Sequence, residues 1–203
     1  MLTRALHCIA KNPWVYEQIQ ILAGAKYVRR RLAMHIASLK ANLVLDVGGG
    51  TGFYREVLPP DCHYVCLDID ITKLHGFRRR HLKDAALCGD AAQIPIETNS
   101  VDAVMCIAVA HHLTDKLLEQ MLNESVRVLR GEGTFIFLDP VWEPSSLVRR
   151  LLWRYDRGSH PRTAAYLRSA ISNHYSLIRV EQFSIYHEYF LCVGSKHLTS
   201  SKS

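Results

Sequence analysis

Glycines and acids set the first chemical constraint. The run Val44-Leu45-Asp46-Val47-Gly48-Gly49-Gly50-Thr51-Gly52 carries an apolar strand straight into glycines, and a short helix is expected from about Phe53. Glycines here let the chain turn sharply and let a ligand approach the backbone, and a helix N-terminus behind them favours an anion. Asp68 closes the next apolar run, 20 residues after Gly48 (48 to 68), where a carboxylate can accept both hydroxyls of a ribose. A dinucleotide fingerprint begun at Gly48 needs its third glycine at position 53, which is Phe53. The glycines fall instead at 48, 50 and 52, with Asp46 two residues ahead of the first.

These residues need a scaffold that brings strand ends together. Leu43 to Val47, His63 to Leu67, Ala85 to Cys88, Val101 to Ile107 and Thr134 to Leu138 read as strands, several apolar almost throughout, as in parallel strands covered on both faces. Between them, Asp115 to Arg130 reads as a helix: Leu118, Leu122, Val126 and Leu129 share a face, Thr114 caps the start and Gly131 closes the end. Upstream, apolar residues recur at helical spacing from Trp14 to Lys40 (Ile19, Leu22, then Val28, Leu32, Ile36, Leu39), broken at Gly24. Downstream, Pro144 to Asn173 reads as helical and rich in arginine, and Ser176 to Phe183 and His187 to Gly194 as a strand hairpin. The pattern predicts a Rossmann-like α/β fold: a doubly wound, seven-stranded, mostly parallel sheet with an antiparallel last strand and helices on both faces.

Length and composition agree. With 203 residues, 48% of them apolar and 22% charged, the chain is long enough for a full core and is neither disordered nor fibrous. One domain is expected over 1–203: N-terminal helices to 41, a ligand-binding core over 42–140, a substrate-side helical segment over 141–175 and a hairpin over 176–195. The longest apolar stretch, Val101 to Leu113, is interrupted by Asp102 and by His111-His112, short of the ~20 residues a membrane span requires. Six scattered cysteines without a C-x-x-C pair, and no apolar signal core at the N-terminus, predict reduced thiols, no metal site and a cytoplasmic location. The formal net charge of +6 is spread along the chain and does not by itself select a partner.

The D-x-G-x-G-x-G pattern over Asp46 to Gly52 resembles the first motif of the class I S-adenosylmethionine-dependent methyltransferases. The resemblance continues in order from about Asn42 to Pro140, and the closest subgroup is the broad small-molecule type (type 11) that includes quinone-biosynthesis methyltransferases. Leu67-Asp68-Ile69-Asp70 is similar to the second motif, which implies that Asp68 holds the ribose and Ile69 packs on adenine. Gly89-Asp90-Ala91 through Pro95 is similar to the stretch that reads the adenine edge, through Asp90 and the amide of Ala91. Asn99 to Leu113 resembles the fourth strand, ending at Ile107 on the cofactor side, and the loop over the methyl site. Leu129-Arg130-Gly131-Glu132-Gly133 stands where the family usually has a Pro-Gly-Gly turn. The implied cofactor is S-adenosylmethionine, contacted by Asp46, Gly48, Gly49, Gly50, Gly52, Asp68, Ile69, Asp90, Ala91 and Ile107. Asp46 is expected to hold the loop's amides in preference to touching ligand, and Asp90 has helix capping as its alternative role.

Methyl transfer from a sulfonium is an in-line displacement in which the protein aligns the nucleophile and strips water from it. A hydroxyl or protonated-amine acceptor needs a base of near-neutral pKa, and His111 or His112, at the end of the fourth strand, is the candidate; an ordinary polar strand end is the alternative. Acceptors are pruned by what this region lacks. Ile107-Ala108-Val109-Ala110 replaces the Asn/Asp-Pro-Pro-Tyr tetrapeptide of adenine-amino methyltransferases, no glutamate lies between Glu97 and Glu119, and no Pro-Cys pair occurs. A small-molecule acceptor remains, with Tyr155, Arg157, His160 and Arg162 as a lid over it or, alternatively, as a solvated basic face. Nucleic acid is the less favoured partner. The two rival functions are an RNA methyltransferase and a cofactor-binding protein without transfer activity.

Overall fold

The computed structural model describes residues 25–37, 39–143, 153 and 160–197. In chain order these form helix α1 (Ala25–Ile36), strand β1 (Leu43–Val47), β2 (His63–Asp68), helix α2 (Ile71–Arg80), β3 (Ala85–Cys88), β4 (Val101–Ile107), helix α3 (Asp115–Val128), β5 (Leu129–Val141), helix α4 (Ala164–Ser172), β6 (Tyr175–Ser184) and β7 (Glu188–Lys196). The seven strands make one sheet in the order β3-β2-β1-β4-β5-β7-β6. All neighbours through β5 pair in parallel, and β7 runs antiparallel to both β5 and β6. The order reverses between β1 and β4, and ligands of doubly wound sheets bind outside the carboxyl ends of the strands at such a switch point.

Both faces are covered, which explains why the strands read as continuous apolar runs. One face packs Leu45, Val47, Val104 and Phe137 against Leu118, Met121 and Leu122 of α3 and Leu167 and Ile171 of α4. The other packs Val44, Met105 and Leu138 against Val28, Leu32 and Ile36 of α1 and Leu74 and Phe77 of α2. Thr114 caps α3, its hydroxyl accepting from the Leu117 amide, as expected from the sequence.

Three expectations are corrected. No α-helix follows the glycine loop: residues 51–54 form turns, and Arg55–Val57 is a single 3-10 turn. Pro59 and Pro60 come too soon afterwards for a longer helix to propagate. Helix α3 ends at Val128, without Gly131 as its cap, because the fully buried Leu129 pairs with Val101 and starts β5 five residues early. Of the helical reading of 144–173, α4 and Trp153 are helical and 160–163 are not; residues 144–152 and 154–159, like the helix N-terminal to Gly24, lie outside the described residues.

Candidate functional site

The carboxyl ends of β1, β2 and β4 open into a cleft of about 470 Å³, lined by Gly48 to Thr51, Asp68 to Asp70, Lys73, Gly89 to Ala91, Ile107 to Val109, His112, Leu113 and Leu117. That size suits a single small ligand. Gly48, Gly50 and Gly52 have φ of +71°, +59° and +74°, the left-handed region that other residues enter only at a cost. The alternating spacing of the motif is thus a backbone requirement. The intervening Gly49 has no such torsion, but a Cβ there would lie 2.8 Å from both an Asp46 carboxylate oxygen and the Cys66 sulfur.

Asp68 organises the loop as well as facing the cleft. Its Oδ2 accepts from the Gly50 amide at 2.9 Å and its Oδ1 from the Asp70 amide at 2.8 Å. Lys73 Nζ approaches it at 3.9 Å. A carboxylate offers about four acceptor positions, so two remain for ligand hydroxyls. Asp70 also borders the cleft, but its side chain is committed to capping α2, accepting from the Thr72 and Lys73 amides. Ile69 is 74% exposed on the cleft rim, an unusual place for a large apolar side chain unless something stacks on it. One oxygen of Asp90 is held by the Ala92 amide at 2.8 Å, which fixes a tight turn there and not a helix cap.

Asp46 does not hold the loop amides. Gly48 and Gly49 donate to the Leu67 carbonyl at 2.7 and 3.1 Å, and Gly50 donates to Asp68. The Asp46 side chain, 1% exposed, instead accepts from the Tyr64 hydroxyl beneath the loop. Burial pushes its carboxyl up to about 7, opposed by the Tyr64 hydrogen bond and reinforced by the Asp68 charge. Such a group is ionised above pH ~4 in the unfolded chain but still protonated in the fold, so it withdraws stability as pH rises from about 4 to 7. Replacing Asp46 with Asn is expected to flatten urea-measured stability over that window by on the order of 3 kcal/mol; an unchanged slope would show that Asp46 titrates normally.

The adjacent histidines separate. His112 lines the cleft, whereas His111 is 5% exposed behind it, its Nδ1 at 3.0 Å from Asp139 Oδ1. Ala108, between β4 and this turn, has φ of +56° and lines the cleft, a strained position for a residue with a Cβ. Nothing in the sequence marked Ala108. Asp139 carried a faint signal, an acid inside the apolar run Phe135 to Val141.

The expected lid residues divide differently. Tyr155 and Arg157 lie outside the described residues. His160 donates its amide to the His111 carbonyl at 3.0 Å and borders a shallow second cleft with Asp115, Pro161, Arg162, Thr163 and Tyr166. Arg162 is buried, and its guanidinium donates to the carbonyls of Ala110 (2.7 Å), Leu113 (2.6 Å) and His160 (3.3 Å) and to Asp115 (2.9 Å). It clamps the turn that carries the histidines and has little donor capacity left for an acceptor. Its hydrogen bond, aided by its charge, also holds the Asp115 carboxyl below its usual range. An Arg162→Met variant is expected to lose about 2–3 kcal/mol of stability, since hydrogen bonds to a charged group contribute ~1.5–3 kcal/mol and three carbonyls lose this donor. Chemical denaturation measures this, and a loss below about 0.5 kcal/mol would rule out the clamp.

A cleft at a switch point, with a glycine loop of three left-handed residues and an acid on the second strand, has the geometry of a nucleoside site. Comparison with known proteins agrees. Residues 45–137 match a family model described as a methyltransferase domain. A probable S-adenosylmethionine-dependent methyltransferase of Mycolicibacterium smegmatis is 32% identical over 98 residues, 48% of this chain and 37% of that protein. A tRNA (carboxymethyluridine(34)-5-O)-methyltransferase of Xenopus tropicalis is 38% identical over 101 residues, 48% of this chain and 15% of that protein. The N-methyltransferase NodS of Bradyrhizobium japonicum, solved with S-adenosyl-L-homocysteine, superposes with a TM-score of 0.68 at 15% identity, covering 86% of this chain and 87% of that one. The chain is thus similar to S-adenosylmethionine-dependent methyltransferases over residues 45–137, just under half of its length, and shares the fold of a solved methyltransferase. It spans well under two thirds of either curated relative.

Proposed function

We propose that the chain transfers a methyl group from S-adenosylmethionine, in line, to a small-molecule acceptor. The observation that carries this reading is the two-ended cleft: glycine loop, Asp68, Ile69 and Asp90 at one end, His112 with apolar Leu113 and Leu117 at the other. S-adenosylmethionine supplies an electrophilic methyl on a sulfonium. Asp68 would accept from the ribose hydroxyls through its two uncommitted positions, Ile69 would cover one face of the adenine, and Asp90 and the Ala91 amide would meet its edge. Gly48, Gly49 and Gly50 give the backbone room to lie against the ligand, with Ile107 as floor and Asp46 beneath, whereas Gly52, off the cleft wall, turns the loop against Phe77 of α2. His112 is placed to take the acceptor's proton, while Leu113 and Leu117 keep water from that end. Five cysteines without disulfide partners among the described residues support a reducing compartment, and we place the protein in the cytoplasm. No helix among the described residues is long and apolar enough to cross a membrane.

A second reading, RNA as acceptor, is favoured by a separate surface. Helix α2 contains no acid, and Arg78, Arg79 and Arg80 in its last turn and Lys83 beyond its cap are exposed. Calorimetry with S-adenosylhomocysteine tests the cofactor site and is expected to give micromolar binding; heat with NAD and none with either S-adenosyl ligand would overturn the family reading. Acceptor profiling with methyl-labelled cofactor then separates the functions. Labelled metabolites support the proposal, labelled RNA supports the second reading, and label in neither fraction supports binding without transfer. RNA affinity across a salt series adds an independent check, because an RNA face loses affinity with a log–log slope near −0.7 per neutralised phosphate. Arg78→Ala with Arg79→Ala should leave that slope unchanged if the acceptor is small.

A further inference from the structure

His111 does not line the cleft, yet its position is fixed from every side. Its Nδ1 lies 3.0 Å from Asp139 Oδ1, and Asp139 is 2% exposed near the end of β5. Its carbonyl accepts from the His160 amide at 3.0 Å, and the preceding carbonyl, of Ala110, accepts from Arg162 at 2.7 Å. Its ring stands edge-on to Trp153 at 6.2 Å between centroids, and the His112 ring packs on it at 4.1 Å, tilted by 43°. A carboxylate this deeply buried is expensive without a charged or hydrogen-bonding partner. With Asp139 as the acceptor, the proton of the contact sits on His111 Nδ1.

The strand ends explain why this contact forms here. Ala108 donates its amide to the Leu138 carbonyl at 2.8 Å, so the chain leaving β4 stays attached to β5 for one residue more than the strand itself. Asp139 is the next residue along β5, and the 110–112 turn brings His111 onto it. His112 is thereby the cleft-facing member of a stack whose base is a buried carboxylate.

We propose that Asp139 is a positioning residue for methyl transfer: it holds His111 in the Nδ1–H tautomer, and through the packed rings it seats the His112 imidazole at the acceptor end of the cleft. This rests on the reading that the acceptor meets the methyl group beside His112. Asp139 is not a cofactor ligand, because it is absent from the cleft wall.

Ring-nitrogen NMR of histidine-labelled full chain, saturated with S-adenosylhomocysteine, tests the proposal. In the wild type the His111 signals should show protonated Nδ1 and unprotonated Nε2. Asp139→Asn, the same size but able to donate from its amide, should shift His111 toward the Nε2–H form and move the His112 ring signals, with the dissociation constant for S-adenosylhomocysteine within twofold of wild type. His111→Asn keeps an N–H toward Asp139 but removes the ring, and should also move the His112 signals. Asp102→Asn serves as the control: Asp102 holds the Asn42 and Leu43 amides and Arg130, away from the turn, so both histidines should stay put. An Nε2–H tautomer for His111 in the wild type overturns the proposal without any variant. So do unmoved His112 signals in Asp139→Asn, and so does a loss of cofactor affinity that accompanies their movement. Failure of the wild type to bind S-adenosylhomocysteine would instead remove the cleft reading beneath it.

Discussion

An Asp68→Ala protein should bind S-adenosylhomocysteine at least tenfold more weakly than wild type, and up to about a hundredfold. Hydrogen bonds to a charged group contribute ~1.5–3 kcal/mol, and 1.4 kcal/mol corresponds to a factor of ten. Asp68 is exposed to two losses at once, since it is the proposed ribose acceptor and also holds the Gly50 and Asp70 amides. Asp68→Asn separates these, because its amide oxygen still accepts one of the amides; it should recover part of the affinity. Asp70→Ala is the informative neighbour. It removes the cap of α2 and should cost about 1 kcal/mol of stability, while leaving cofactor affinity within threefold. Calorimetry on the three variants decides the assignment. Equal losses of affinity at positions 68 and 70 would mean that the acid of the second motif has been misplaced.

The largest stability effect is expected at Gly52. Its φ of +74° puts an added Cβ into strain of about 1–2 kcal/mol. That Cβ would lie 2.5 Å from the buried Phe77 ring of α2, where overpacking adds typically 1–3 kcal/mol. Gly52→Ala should therefore lower stability by roughly 2–5 kcal/mol. Gly50→Ala meets its nearest atom, Lys73 Cδ, only at 3.6 Å and should show the torsional cost alone. Gly48→Ala falls between them, because its 2.4 Å neighbour is a Val109 methyl that can move on a turn. Urea unfolding midpoints at constant m-value report the series. A Gly52→Ala no worse than Gly50→Ala would show that α2 yields to the extra atom and is not pressed against the loop.

Much of the fold was legible because its determinants are local. The boundaries of β1, β3 and β4 follow from apolar runs bounded by polar or turn residues, and the Thr114 cap from a hydroxyl ahead of a periodic segment. The misread boundaries are those at which distant burial outweighed local preference. Leu129 continues the apolar face of α3 in sequence, yet its pairing with Val101 makes it strand. The helix expected at Phe53 fails because two prolines follow within seven residues.

The sequence by itself determined which residues form the glycine loop, since left-handed torsions at alternate positions strongly favour glycine. It also placed Asp68 correctly, because a strand end after an apolar run is visible in one dimension. Only the tertiary structure decided what each polar side chain faces. Asp46 points to Tyr64, Arg162 to carbonyls of the histidine turn, and of two adjacent histidines one meets the cleft and the other a buried carboxylate 28 residues away. Those choices depend on which strand lies alongside and where it ends, and that is a property of the sheet order, not of any short segment of chain.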